Sequence, residues 1–226
     1  MKSIGEFLLL AALSRYRNFR EERWIKKRYY CHFLFQRADT LLKQSYCKQS
    51  PYKISKQHFL SRGAQDVHVY GETPLSTWEY ILGKCGIHAG DCLYDLGCGT
   101  GRGVFFVSAY FGCRAVGVDF ISSFIHKAKE IQRQIPQTSL HFVHGDITTC
   151  DLSEASVIYL YGTCLDDSTI EALSRRFSSL KKGVKVITVS YPLSDYLLDN
   201  PFAVKEVFSA KYAWGEAEVF YQEKVR

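Results

Sequence analysis

The chain has 226 residues, 46% hydrophobic and 23% charged, close to ordinary globular averages, so wholesale disorder and low-complexity classes are excluded. Its net charge of +6 is uneven: residues 1–60 carry 13 Lys/Arg and 4 Asp/Glu, a net +9, while residues 61–226 carry 16 and 19, a net −3. The basic third reads as a patch for nucleic acid, an acidic partner or an anionic membrane surface, or else as the solvated face of amphipathic helices.

No apolar run reaches 18 residues, and Phe7 to Leu13 is too short to cross a bilayer, so no transmembrane span is expected. Arg15, Arg17 and Arg20 stand where the small cleavage-site residues of a signal peptide belong, which argues against secretion. None of the eight cysteines forms Cys-x-x-Cys, so no metal site is expected. They read as reduced, packed thiols, and the expected location is cytoplasmic.

In chain order, residues 1–60 are expected to form a basic helical extension, with a short helix near Ile4–Leu13 and a longer one near Asn18–Tyr46. Leu34, Ala38, Leu41 and Leu42 supply its late apolar stripe. Lys48–Ala64, polar and containing Pro51, reads as a linker. Residues 61–226 then alternate. Strands are predicted at Asp91–Leu96, Arg114–Asp119, Leu140–Val143, Ser156–Tyr161 and Lys185–Ser190. Helices are predicted at Gly103–Phe111, Ser123–Ile135 and Asp167–Leu180, the last capped by Ser168 with Glu171 as its capping box. Strands alternating with helices imply a parallel sheet with right-handed crossovers. Val204–Tyr212 and Glu216–Lys224, joined by Ala213-Trp214-Gly215, break the alternation and read as an antiparallel hairpin.

The chemistry concentrates in Asp95-Leu96-Gly97-Cys98-Gly99-Thr100-Gly101, where a strand runs into a glycine turn that opens a helix. Ligands bind outside the carboxyl ends of such strands, and glycines let the backbone come close to them. A dinucleotide fingerprint needs a third glycine at 102 or 104, where Arg102 and Val104 stand. A P-loop lacks its Gly-Lys-Ser/Thr. Asp95 suits a cationic ligand better than a pyrophosphate.

The run Asp95-x-Gly97-x-Gly99-x-Gly101 resembles motif I of the class I S-adenosylmethionine-dependent methyltransferases. The resemblance covers about residues 68–224. It implies a seven-stranded, mostly parallel Rossmann-like α/β sheet closed by an antiparallel C-terminal hairpin, with S-adenosyl-L-methionine as cofactor. It further implies that Asp119, beside Phe120, binds the ribose, and that Asp146 and Ile147 embrace the adenine. Val69-Tyr70-Gly71-Glu72-Thr73 is similar to the donor-closing loop of the disruptor-of-telomeric-silencing, non-SET histone-lysine methyltransferases, which makes Tyr70, Glu72 and Thr73 donor-loop candidates. Trp214, Val219 and Tyr221 keep that family's spacing, which implies Tyr221 near a lysine channel. Tyr161 and Tyr191 are further candidates for its wall. Small organellar and prokaryotic protein-lysine methyltransferases are equally similar. The expected function is methyl transfer to a protein lysine, with a small-molecule N- or O-methyltransferase or a donor-binding interaction protein as the alternatives.

Overall fold

The computed structural model describes residues 16, 19–63, 70–136 and 139–226. The helix expected near 4–13 and Val69 of the donor-loop pentapeptide lie outside these residues.

Seven strands form one sheet in the order β3-β2-β1-β4-β5-β7-β6. They are β1 (Cys92–Leu96), β2 (Arg114–Asp119), β3 (Leu140–His144), β4 (Val157–Leu160), β5 (Lys185–Val189), β6 (Phe202–Tyr212) and β7 (Gly215–Lys224). The first five are parallel, while β7 runs antiparallel to both β5 and β6. The central strands are short and buried on both faces, as strands covered by helices on each side must be. Alternation sends Leu93, Val157 and Tyr159 to one face and Tyr94, Leu96, Ile158 and Leu160 to the other.

Helices α4 (Leu75–Lys84), α5 (Arg102–Phe106) and α6 (Ser122–Gln132) share a core with the first face, and α7 (Asp167–Ser178) packs on the second. A π-helical turn, Val107–Phe111, extends α5 over the length expected for a single helix. The cap of α7 is Asp166 rather than Ser168: its carboxylate accepts from Thr169 N at 2.7 Å, and Ser168 donates to that same carboxylate.

The N-terminal helices differ most from expectation. The long helix is broken at 30–32 into α1, over 19–29, and α2 (Phe33–Ser45). Ile25 and Tyr29 lie on one stripe, and Phe35, Ala38 and Leu42 on another. From Tyr29 to Phe35 a continuous helix would turn about 120° short of two full turns, so the break brings both stripes to the same core. Tyr29 thereby meets Phe106 of α5, with ring centroids 4.7 Å apart. The expected linker at 48–64 contains a third helix, α3 (Pro51–Ser61). Its sequence carried the signature of a helix start. Ser50 caps it by accepting from Lys53 N, and Pro51 occupies the first turn, where its missing N–H costs nothing. Helices α1 and α2 thus share one apolar cluster with the main sheet.

Candidate active site

The carboxyl ends of β1, β2 and β4 converge where the glycine turn leaves β1. That turn crosses β2 so closely that a Cβ at Gly117 would sit 2.8 Å from Cys98 Sγ and from Val104. The amides of Gly97 and Cys98 both donate to the Val118 carbonyl, at 2.8 and 3.0 Å, and pin the turn there. Gly99 has φ +54°, and a Cβ on it would lie 3.0 Å from the Tyr70 ring. Only glycine serves where the backbone is left-handed and the loop 70–73 presses down on it.

That loop folds back over the strand ends. Gly71 faces the Tyr161 ring, Thr73 Oγ1 and Tyr159 Oη lie 2.8 Å apart, and the Glu72 carboxylate accepts from Thr100 Oγ1 at 3.0 Å and from the Tyr70 hydroxyl. The result is a cleft of two adjoining chambers that share Gly71, Gly97, Gly99 and Tyr161. The outer chamber, about 300 Å³, is walled by Asp119, Phe120, Ile121, Phe124 and Ile147, and by Ser55 and Phe59 of α3. The inner one is lined by Glu72, Thr73, Trp78, Asp95, Thr100, Arg102 and Tyr159.

Two buried carboxylates set the electrostatics. Asp119 ends β2 and accepts from the amides of Gly99 (2.9 Å) and Ile121 (2.8 Å). Burial pushes its pKa up, and those amides oppose the shift. Asp95 is 6% exposed, and no described residue hydrogen-bonds its carboxylate. Burial, reinforced by the Asp119 charge, pushes its pKa up to about 7. A buried carboxylate lacking a partner, beside a glycine cradle, fits a ligand that brings a positive charge.

Of the sequence-predicted residues, Tyr70, Glu72, Thr73, Asp95, Gly97, Gly99, Asp119, Phe120, Ile147 and Tyr161 line this cleft. Four others do not. Gly101 sits behind the turn against Phe142, as the residue before α5. Asp146 is exposed, and its carboxylate is taken by the backbone and hydroxyl of Thr148, both at 2.7 Å. Tyr221 pairs with Ile187 in the middle of β5 and has Cys85 and Asp91 as electrostatic neighbours, towards the opposite end of the sheet. Tyr191 is buried on the other face, behind Gly162 and beside Tyr196.

Sequence reasoning missed Tyr159, Trp78 and α3. Tyr159 was within reach: it lies two residues before Tyr161, so strand alternation puts both on one face, and it stands opposite Asp95 in the β1–β4 register. Trp78 packs against it with centroids 4.2 Å apart and planes tilted by 48°, a long-range contact with no local signature.

The sheet order and the cleft at the β1 and β2 ends give this chain the fold of the class I S-adenosylmethionine-dependent methyltransferases, and S-adenosylmethionine is the cofactor that this fold and the residues of the cleft fit. Residues 95–199 match the ANTKMT methyltransferase domain family. The chain is 26% identical over 153 residues to sterol 24-C-methyltransferase ERG6 of Saccharomyces cerevisiae and 32% identical over 151 residues to phosphoethanolamine N-methyltransferase 1 of Triticum aestivum. These alignments cover 66% and 63% of this chain but only 40% and 29% of those relatives. A protein-lysine N-methyltransferase of Saccharolobus islandicus is 28% identical over 61% of this chain and 84% of its own. Among solved structures, an RNA methyltransferase from Salinibacter ruber in complex with S-adenosyl-L-homocysteine aligns with a TM-score of 0.55 at 24% identity, over 69% of this chain and 94% of that one.

Proposed function

We propose that the chain transfers a methyl group from S-adenosylmethionine to a lysine amine of a protein. The observation that carries this reading is the inner chamber, where the Glu72 and Asp95 carboxylates face Trp78, Tyr159 and Tyr161 next to the donor cleft. The similarity to the Saccharolobus islandicus protein-lysine N-methyltransferase supports it.

The donor supplies an electrophilic methyl group on a sulfonium. When bound, its ribose hydroxyls would be held by Asp119 and its adenine by Phe120 and Ile147, with Asp146 acting only indirectly, through the turn that carries Ile147. The backbone of Gly97 and Gly99 would cradle the amino-acid end under Tyr70 and Thr73, and Asp95 and Glu72 would answer the ammonium and sulfonium charges. A lysine amine, with a reference pKa near ~10.4, arrives protonated and must lose a proton before it can attack. Glu72, hydrogen-bonded at the chamber edge, attracts the ammonium. The aromatic walls favour the neutral form by excluding water, and the proton leaves towards solvent. What the residues contribute is placement of the amine in line with the methyl and exclusion of competing water.

A small-molecule amine acceptor is the second reading, favoured by the 32% identity to a phosphoethanolamine N-methyltransferase. Incubation with methyl-labelled donor and whole-cell lysate, followed by separation of protein from small molecules, decides between them. Label recovered as methyl-lysine after hydrolysis is the expected result. Label confined to the small-molecule fraction moves the assignment to the second reading. Absence of label in both fractions, with donor binding intact, overturns both.

A further inference from the structure

Helix α3 carries a hydroxyl that the fold leaves unused. Ser55 is 1% exposed and lines the outer chamber, and no described residue hydrogen-bonds its side chain. Hydroxyls inside helices commonly turn back to the carbonyl four residues earlier, as Thr40 does to Gln36 O at 2.8 Å and Ser178 to Ser174 O at 3.0 Å. Ser55 makes no such bond. A buried hydroxyl without a partner destabilises the fold, and one that borders a cleft can gain that partner from a ligand.

The neighbours of Ser55 on α3 fix its place along the chamber. Tyr52, three residues before it, meets Tyr70 with ring centroids 5.0 Å apart, and Phe59, four residues after it, meets Phe120 at 5.6 Å. Residues at these spacings share one face of a helix. Tyr70 presses on Gly99, whose amide donates to Asp119, and Phe120 follows Asp119 in the chain. Ser55 therefore stands between two contacts that bracket Asp119. Ile54 beside it packs on Ile121 and Phe124, which holds the helix at that depth.

Each oxygen of Asp119 already accepts one backbone amide, so each keeps a second position for the proton of a ribose hydroxyl. A ribose hydroxyl that gives its proton to Asp119 still has an oxygen able to accept. Tyr70 and Tyr161, whose hydroxyls belong to the same chamber lining, are engaged with Glu72 and Trp214. The hydroxyl left to donate is that of Ser55.

Resting on the donor reading above, we infer that Ser55 is a donor-binding residue supplied by the basic extension. Its hydroxyl donates to a ribose hydroxyl oxygen of S-adenosylmethionine whose own proton goes to Asp119. The position lies outside residues 95–199, the part of the chain that matches the family model. The pair of Ser55 and Asp119 selects for a nucleoside with its ribose hydroxyls intact, because both side chains lose their partner when those hydroxyls are missing.

The test uses the full chain and competition against methyl-labelled S-adenosylmethionine, with S-adenosylhomocysteine, adenosine and 2′,3′-dideoxyadenosine as competitors. Ser55→Ala removes the hydroxyl and favours the helix, while Ser55→Cys keeps a side chain of similar shape that is a weak hydrogen-bond donor. Each variant is expected to weaken S-adenosylhomocysteine and adenosine by the same ~5-fold, the scale of one neutral hydrogen bond, and to leave 2′,3′-dideoxyadenosine within ~2-fold of its wild-type affinity. Unchanged affinity of Ser55→Ala for S-adenosylhomocysteine overturns the inference. So does a Ser55→Cys that binds like the wild type, since packing then accounts for the serine. An equal loss on 2′,3′-dideoxyadenosine moves the contact off the ribose, and a loss confined to S-adenosylhomocysteine moves it to the amino-acid end; either result overturns the assignment. All of these outcomes leave the donor reading standing, whereas a wild-type chain that does not bind S-adenosylhomocysteine overturns that reading itself.

Discussion

Asp95 is a carboxylate that the ligand-free fold prefers protonated, because burial and the Asp119 charge raise its pKa to about 7. A carboxyl raised from its ordinary value of 3.8 holds its proton more tightly folded than unfolded. Its contribution to the stability of the ligand-free protein is therefore full below the unfolded pKa and is lost as the pH rises through about 7. A cationic donor reverses the preference, since it binds the ionised form. Donor affinity should thus fall ~10-fold between pH 8 and pH 6, and binding near neutrality should release a proton, seen as a dependence of calorimetric heat on buffer ionisation. Asp95→Asn should bind more weakly and lose most of that pH dependence; an unchanged profile refutes the role. Asp119 makes the complementary prediction. Its charged hydrogen bonds to ribose are worth roughly 1.5–3 kcal/mol each, so Asp119→Ala should weaken donor binding at least ~10-fold.

The loop 70–73 and helix α3 adjoin at the cleft, where the Tyr52 and Tyr70 rings meet with centroids 5.0 Å apart, and they were unequally visible in the sequence. The loop could be found because three unlike side chains in fixed order resemble a known donor loop. Helix α3 was hidden by polar composition, its Ser-Pro start passed over as linker. Its buried Ile54 packs on Ile121 and Phe124, and Phe59 meets Phe120 edge to face, with centroids 5.6 Å apart, in the lining of the outer chamber. Removing the basic segment through α3 is therefore expected to damage donor binding, where the sequence by itself left partner recruitment and a solvated helical face as the alternatives. Phe59→Ala should raise the dissociation constant for S-adenosylhomocysteine by ~10-fold through lost aromatic contact, while Phe33→Ala, at an aromatic 66% exposed, should not change it. Equal affinities for the two variants would remove α3 from the site. Glu72→Gln keeps the loop's shape but removes its charge, and should lower methyl transfer at least ~10-fold, about 1.4 kcal/mol, with the melting temperature unchanged.

Across the molecule, the sheet was legible because buried parallel strands and a terminal hairpin leave periodic, local marks. The attachment of the N-terminal helices was not, because it depends on charges that look like an ordinary solvated face. Asp39, three-tenths of the way through the basic extension's second half by no visible distinction other than its i,i+4 spacing to Lys43, is fully buried. It accepts from Arg102 Nε at 2.7 Å, Lys43 Nζ at 2.8 Å and the Tyr30 hydroxyl at 2.7 Å. Glu22 of α1 closes the ring by pairing with both Arg102, at 3.4 Å, and Lys43. Burial pushes the Asp39 carboxyl up, but Arg102 and Lys43 outweigh it and hold the pKa below its usual value. The stability from this group is accordingly present above the unfolded pKa and is lost as the pH falls through the lower folded one.

Arg102 is also the first residue of α5 and borders the inner chamber, so the ring ties α1 and α2 to the donor turn. Asp39→Ala leaves that largely buried guanidinium with the charges of Glu72 and Glu22 nearby, and breaking such a pair costs about 3–5 kcal/mol. For a chain of this size the melting temperature should fall by roughly 10 °C, with weaker donor binding alongside. Replacing the pair together, Asp39→Leu with Arg102→Met, removes the stranded charge and should recover at least half of the lost melting temperature, since apolar residues often replace a buried ion pair at little cost. If Asp39→Ala melts with the wild type, the ring holds nothing. If the double variant is as unstable as the single, the loss lies in packing and not in a stranded charge. Donor affinity separates the remaining roles: the double variant should bind S-adenosylhomocysteine more weakly than the wild type even where it melts as high, because it takes the Arg102 guanidinium away from the chamber wall.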